Sequence, residues 1–501
     1  MAAPALRLTD LSFRYQEQGK RNILDHVSLD IPEGRVTVIM GRSGCGKSTL
    51  AAVAAGLYPE NGGYLVSGSV ELFGQPLGGM NQQKRTSYLT LMFQNPDLQF
   101  CMDTLRKELR FCLENLCVPR EEMDGRAVAA AQALGLTGKL DQALNTLSGG
   151  EKQKAMLCCL YAIESRCILL DEALANIDHT AALELVARIA RLREQGHTVV
   201  AIDHRLDYWL DTADEIIVLG EGGKLLTRGI CRENLEEYRP LFQREGLCFP
   251  EKPHVKARPK CEAEPAVTLR DVSIPLESKP DRWGRKKVKS WLLSGVNAVF
   301  PKGRMTAVIG PSGSGKTTTF LSILKQHPYE GTILINGRDL NRIRERELFA
   351  QIGMVFQNPG NQFITQTVEE EVCSAIRLWE GNQCQEKAEA LLEAYDLKRY
   401  RRFAPYMLSQ GQQRRLAVVS VLAGRQKLLF LDEPTYGQDH CSTEAIMERL
   451  RDKVETEGLT VVFITHDLKL AAAWADKVYH LRDQKLEEIA PEELLEKEAG
   501  I

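Results

Sequence analysis

Gly41-Arg42-Ser43-Gly44-Cys45-Gly46-Lys47-Ser48 has the pattern G-x-x-x-x-G-K-[ST], and its flanks decide how it is read. Before it stands Arg35-Val36-Thr37-Val38-Ile39-Met40, an apolar, β-branched run of the kind that forms a buried strand. After it, Thr49-Leu50-Ala51-Ala52-Val53-Ala54-Ala55 predicts a helix. Strand, glycine loop and helix in that order make a loop whose backbone N–H groups face a phosphate chain, with the helix N-terminus adding partial positive charge. Lys47 is then expected to reach the β- and γ-phosphates of ATP, and Ser48 to offer its hydroxyl to Mg²⁺.

The loop occurs twice. Gly310-Pro311-Ser312-Gly313-Ser314-Gly315-Lys316-Thr317 follows Met305-Thr306-Ala307-Val308-Ile309 in the same way. The predicted phosphate cradles are Gly41, Ser43, Gly44, Cys45, Gly46, Lys47, Ser48 and Thr49 in the first half. In the second they are Gly310, Ser312, Gly313, Ser314, Gly315, Lys316, Thr317 and Thr318. A chain of 501 residues has room for several domains, and this repeat argues for two homologous halves.

The rest of the first half carries further landmarks in order. Leu6 to Phe13 and Val27 to Ile31 alternate as half-buried strands do. Phe93-Gln94-Asn95-Pro96 precedes a charged helical stretch from about 103 to 145, which leads to Leu147-Ser148-Gly149-Gly150-Glu151. Cys167-Ile168-Leu169-Leu170 closes on Asp171-Glu172, and Thr198 to Ile202 ends in Asp203-His204. In the second half Gln357, Ser409, Asp432 and His466 stand 261 to 263 residues beyond Gln94, Ser148, Asp171 and His204. The lysines Lys47 and Lys316 are 269 apart, so extra residues lie between Ser273 and Lys316. They fall in Glu277 to Trp291, a basic, polar stretch expected to be a solvated loop. Gly246 to Pro265 contains four prolines and reads as an extended linker. The predicted division is 1–245, linker 246–265, and 266–501.

Composition restricts the function. Hydrophobic residues make up 44% and charged residues 26%, and the net charge of −3 gives no global electrostatic case for nucleic-acid binding. No apolar run approaches the roughly 20 residues of a membrane span, and the N-terminus lacks a long apolar leader. Thirteen scattered cysteines without C-x-x-C pairs fit reduced thiols better than disulfides or a zinc site.

Both halves resemble the nucleotide-binding domain of ABC ATPases, on the phosphate loop, loop glutamine, signature, acidic strand end and histidine, in order, twice. The fold class expected is α/β: two P-loop NTPase domains of ABC type, each with a mixed β-core and a helical subdomain. An apolar strand ending in Asp171-Glu172 supplies one carboxylate to order Mg²⁺ and a second to polarise an attacking water. The resemblance implies Glu172 and Glu433 as catalytic bases, with His204 and His466 sensing the γ-phosphate beside Gln94 and Gln357. Magnesium is expected at Ser48, Gln94 and Asp171, and at Thr317, Gln357 and Asp432. In the family the signature faces the partner domain's nucleotide. This implies intramolecular pairing of the halves, with Ser409 and Gly411 completing the first site and Ser148, Gly149 and Gly150 the second. Gln410 and Ala173 depart from the usual glycine and proline, and both fall on the first site. Tyr15 is expected to stack on the adenine; Leu276 stands in its place in the second half, with Trp283 or Trp291 as substitutes. Cys45 is open to two readings: a thiolate favoured by the helix N-terminus and Lys47, or an inert small residue.

Phe93 to Phe100 and Phe356 to Phe363 are similar to the F-Q-N-P-D-x-Q-x stretch of energy-coupling-factor (ECF) ATPases. Each is followed by an acidic helix, around Glu108 and around Glu369 to Glu371. That resemblance implies peripheral attachment at the cytoplasmic face of the cell membrane, to a transmembrane coupling protein and a small substrate-capture subunit, for import of a vitamin or transition-metal ion. No nucleic-acid partner is expected. The alternatives are a fused sugar-importer ATPase and a soluble, non-transport ABC protein. The near-complete motifs of both halves count against the first, and the short linker and unpatterned cysteines against the second.

Overall fold

The computed structural model describes residues 4–19, 21–93, 96–147, 149–174, 179–250, 263–280, 286–311, 313–381, 384–435, 438–491, 493 and 494, with backbone alone at 97, 277–280 and 286–289. The chain divides near Pro250 into two compact units. No helix among the described residues is long and apolar enough to cross a membrane.

The strands of the first unit are β1 (Leu6–Arg14), β2 (Leu24–Ile31), β3 (Val36–Gly41), β4 (Tyr64–Leu72), β5 (Gln75–Pro76), β6 (Leu89–Met92), β7 (Cys167–Asp171), β8 (Thr198–Ile202), β9 (Glu215–Leu219) and β10 (Leu225–Ile230). Its helices are α1 (Lys47–Ala54), α2 (Gln82–Tyr88), α3 (Leu105–Asn115), α4 (Arg120–Ala133), α5 (Gly149–Ile163), α6 (His179–Glu194) and α7 (Arg239–Glu245). An antiparallel sheet of order β2-β1-β4-β5 accompanies a six-stranded sheet of order β10-β9-β3-β8-β7-β6. In the larger sheet β3 lies parallel between β8 and β9, and only β10 runs antiparallel.

Why β3 reads as a continuous apolar run follows from this position. Every one of its residues is buried, as a central parallel strand covered on both faces must be. Alternate residues serve opposite faces. Val36, Val38 and Met40 join the core shared with the helices, whereas Ile39 joins the core under the antiparallel sheet. Strand β7 splits likewise: Ile168 and Leu170 face the helices, Cys167 and Leu169 the other side. Each such fully buried Val, Leu or Ile contributes about 1.5–3 kcal/mol. The ends of β3, β7 and β8 therefore project from strands whose residues are all buried.

The second unit repeats the plan. Its strands are β11 (Pro265–Pro280), β12 (Lys286–Pro301), β13 (Met305–Ile309), β14 (Glu330–Ile335), β15 (Arg338–Asp339), β16 (Ile352–Val355), β17 (Leu428–Asp432), β18 (Thr460–Ile464), β19 (Lys477–Arg482) and β20 (Lys485–Ile489). Its helices are α8 (Lys316–Ile323), α9 (Glu345–Gln351), α10 (Val368–Glu380), α11 (Gln385–Ala394), α12 (Gln410–Leu422), α13 (His440–Glu457) and α14 (Leu468–Trp474). The sheet orders β12-β11-β14-β15 and β16-β17-β18-β13-β19-β20 are those of the first unit, strand for strand.

One expectation fails here. The basic stretch from Glu277 to Trp291 was expected to be a loop, but β11 and β12 run on as a hairpin through Glu277↔Ser290, Ser278↔Val288, Lys279↔Lys287 and Pro280↔Lys286. Polar composition suggested a loop. Two antiparallel strands already in register, however, extend by adding backbone hydrogen bonds, and these do not depend on apolar side chains. Trp283 and Arg285 lie outside the described residues.

Candidate active site

Each unit gathers the ends of three core strands around one glycine loop. In the first, the loop from Gly41 to Gly46 joins β3 to α1, with Gly44 and Gly46 in the left-handed region at φ 81° and 109°. A Cβ on Gly46 would lie 2.9 Å from Leu24 Cδ2 and 3.0 Å from the Ile23 carbonyl oxygen, so the loop folds down where only glycine fits. Lys47 is buried at the start of α1, and its Nζ donates to the carbonyls of Gly41 (2.7 Å) and Arg42 (3.0 Å). The loop is thus wrapped about an ammonium, with the first N–H groups of α1 beside it. Lys316 repeats this with the carbonyls of Gly310 and Pro311, both at 2.8 Å. Gly313 and Gly315 take φ 77° and 105°.

Asp171 closes β7, and the Ser48 hydroxyl beside it lowers its carboxyl against the effect of burial. Burial, followed by the neighbouring Glu172, pushes its carboxyl up to about 7. Asp171 Oδ1 is buried and has no hydrogen-bond partner among the described residues. In the second unit Thr317 Oγ1 donates to Asp432 Oδ2 at 2.7 Å, and burial raises Asp432 in the same direction. A hydroxyl and a buried carboxylate with an unused oxygen form a donor set that fits a small hard cation such as Mg²⁺.

Glu172 and Glu433 follow these aspartates with φ 51° and 52°, left-handed values uncommon for a non-glycine residue. Each peptide N–H is held, Glu172 by the Ile202 carbonyl (2.9 Å) and Glu433 by that of Ile464 (3.1 Å). Such strain persists only where the surroundings impose it, and it concentrates at functional sites. His204 Nε2 lies 2.9 Å from Glu172 Oε1, and His466 Nε2 lies 3.2 Å from Glu433 Oε1. Burial, then Asp432, pushes the Glu433 carboxyl up to about 8. The backbone N–H groups of His204 and Arg205 donate to Asp203, whose other oxygen accepts from Trp209 Nε1 at 2.9 Å.

The structure therefore brings phosphate loop, Asp-Glu pair and histidine together in each unit. Gln94, Ser148 and Ser312 lie outside the described residues. Gln357 is exposed after β16, and Gly149 and Gly150 open α5. Ser409 caps α12: it accepts from Gln412 N, while Gln412 Oε1 accepts from Ser409 N at 3.0 Å. Gln410 is the first residue of that helix, as Gly149 is of α5, and Gln410 does not have positive φ. Glutamine at 410 therefore carries no backbone strain. Tyr15 reaches α1, its hydroxyl 2.8 Å from Thr49 Oγ1 and its ring edge-on to Phe13 and Tyr58. Cys45 corrects the thiolate reading. It is buried, and burial raises its thiol by more than Lys47 lowers it.

Arg414 was not anticipated. It is buried in α12, and its guanidinium donates to the carbonyls of Phe356 (2.8 Å), Gln357 and Asp432 (3.3 Å). It ties the glutamine loop to the end of β17 and lowers both Asp432 and Glu433 against the effect of burial. The equivalent residue of α5 is Gln153, also fully buried, whose amide has no hydrogen-bond partner among the described residues. Comparing the halves at a spacing of 261 is the signal that exposes the difference. The acidic helices also gain a role: Glu108 accepts from the backbone of Cys101 (2.9 Å) and Met102 (2.7 Å), and Glu371 from that of Ile364 (3.1 Å) and Thr365 (3.0 Å).

The sequence profile described as ABC transporter matches residues 24–175 and 293–436. A Bacillus subtilis (strain 168) protein named "Putative HMP/thiamine import ATP-binding protein YkoD" is 34% identical over 99% of this chain and 93% of its own length. A "Putative ABC transporter ATP-binding protein" of Methanosarcina mazei is 29% identical over 96% of this chain and 88% of its own. Among solved structures, one titled "RNase-L Inhibitor" superposes with a TM-score of 0.63 at 21% identity, over 94% of this chain and 87% of that one. That likeness concerns the fold alone. The strand order, the site geometry and these matches have one conclusion: the chain is an ATPase of the ABC transporter family, with two of its domains in tandem.

Proposed function

We propose that this chain is the ATP-hydrolysing subunit of an ECF-type importer for a vitamin or a transition-metal ion, acting at the cytoplasmic face of the membrane. The observation that carries the hydrolytic reading is the twice-built contact of glutamate and histidine beside the phosphate loop, at 2.9 Å and 3.2 Å. Lys47 and Lys316 bind phosphate oxygens, and the loop N–H groups from Gly41 to Thr49 and from Gly310 to Thr318, Pro311 excepted, cradle them. Ser48, Asp171 and Gln94, and Thr317, Asp432 and Gln357, would hold Mg²⁺, which neutralises phosphate charge when bound. In their ionised forms Glu172 and Glu433 orient the attacking water and take its proton, while His204 hydrogen-bonds the Glu172 carboxyl group and His466 lies beside that of Glu433. Hydrolysis that requires both halves, the signature residues included, is carried over from the family resemblance alone, whereas domain limits of 1–245 and 266–501 rest on the proline-containing stretch between them.

Support for the importer reading comes from the B. subtilis relative's printed name and from the glutamine loops. Beside those loops Leu98 is 75% and Ile364 85% exposed, apolar surface of the kind that docks a partner. The double substitution Glu172→Gln with Glu433→Gln should abolish Mg²⁺-dependent ATP hydrolysis while leaving ATP binding intact. Wild-type turnover in that protein contradicts the site assignment. Leu98→Cys and Asn361→Cys should cross-link to different positions of a polytopic membrane protein that co-purifies with the chain. A chain that retains ATPase activity but recovers no membrane partner contradicts the transport reading alone.

A further inference from the structure

A cavity of about 210 Å³ opens in the first unit between α5, α6 and β7, away from the phosphate loop. Its apolar wall includes Leu134, Leu157, Ile168, Leu170 and Leu185, and Arg188 stands in it as a cation. Arg188 Nη1 is buried and has no hydrogen-bond partner among the described residues. A buried guanidinium nitrogen without an acceptor is costly.

The second unit shows what fits. Arg449 occupies the place of Arg188 on α13, and Tyr395 the place of Leu134 at the end of α11, each 261 residues on. The backbone there is the same: Leu134 and Tyr395 both close their helices at φ −100° and −108°. The Tyr395 ring is buried with the Arg449 guanidinium 4.4 Å from its centroid, and the nearby Arg449 charge works against the rise that burial imposes on the phenol. One half thus fills the position under its arginine with a phenol, and the other leaves it to a leucine and a cavity. A cavity of about 150 Å³ is enough to hold benzene.

We infer that the cavity under Arg188 is a binding site for a small single-ring phenol, which takes the place that the Tyr395 side chain fills in the second half. The ring lies against Leu134, Leu157 and Leu170, and the phenol oxygen accepts from Arg188. Because β7 forms one wall and ends in Asp171, an occupant also braces the strand that carries the catalytic carboxylates.

The test uses the full chain and p-cresol, which is the tyrosine side chain as a free molecule. Titration calorimetry should find one saturable site per chain, with toluene about tenfold weaker for want of the oxygen. Leu134→Tyr should abolish that site. Tyr395→Leu should create its counterpart and raise the stoichiometry from one to two. Should Leu134→Tyr fail to fold, Arg188→Met decides: it should erase the preference for p-cresol over toluene. The absence of saturable binding to the wild-type chain overturns the inference. So does a folded Leu134→Tyr protein of unchanged affinity, or an Arg188→Met protein that still prefers p-cresol.

Discussion

Asp171 and Glu433 hold their protons far above the ordinary carboxylate range, to about 7 and about 8, because burial disfavours their charge. Unfolded, both titrate near 4. Between those values the native state binds more protons than the unfolded one, so stability falls as pH rises from about 4 to about 8 and then levels. Each unit of raised pKa corresponds to about 1.4 kcal/mol. Urea unfolding of the nucleotide-free protein should therefore show a lower midpoint at pH 8.5 than at pH 5.5, with a smaller difference in Glu433→Gln. A midpoint that rises over this range contradicts the burial account. Cys45 obeys the same physics: as a raised, buried thiol it should alkylate more slowly than the exposed Cys101, Cys117 and Cys441. Cys45→Ser should leave the rate of inactivation by iodoacetamide unchanged. The glycine loop, the Asp-Glu pairs and the histidines were legible in the sequence because each is a short local pattern. The depth of Cys45 was not, since it depends on β2 and β9, the latter some 170 residues distant.

Helix α12 does more than present the signature. Through Arg414 it holds three carbonyl groups that belong to the glutamine loop and the end of β17. Arg414→Gln, which gives the second half the residue of the first, removes buried charge-assisted hydrogen bonds worth roughly 1.5–3 kcal/mol each. A loss of about 3 kcal/mol in unfolding free energy is expected, with hydrogen exchange faster at Phe356 and Gln357 than in β13. Unchanged protection at those amides would remove the tie. This role was hidden in the sequence, because two of the residue's three partners lie nearly 60 positions away and only the fold makes them neighbours. The hairpin of β11 and β12 was hidden for a different reason: its pairing is a backbone property, to which a count of lysines and arginines is blind.

At the scale of the molecule, the identical strand order of the two units explains why so much of the fold was readable. A duplicated chain states each motif twice, and agreement at a spacing of 261 to 263 separates pattern from accident. The same topology bears on biosynthesis. Strand β3, which leads into the phosphate loop, pairs on one side with β8 and on the other with β9. Those partners are the last parallel strands of the unit to leave the ribosome. Some 180 residues separate the start of β3 from the end of β9, which at 5–20 residues per second is roughly 10–40 s of translation. For most of that interval, until β8 emerges, this buried strand has no partner in its own sheet, and the non-local closure that follows is slow by nature. A chain released after residue 196, before β8, should be found in inclusion bodies or on chaperones, whereas one released after residue 250 should be soluble. Soluble, monomeric 1–196 would show that the helices alone can shield β3. Until β9 emerges, each newly made half must be kept from aggregating by the cell's folding machinery, and the wait recurs with β13, β18 and β19.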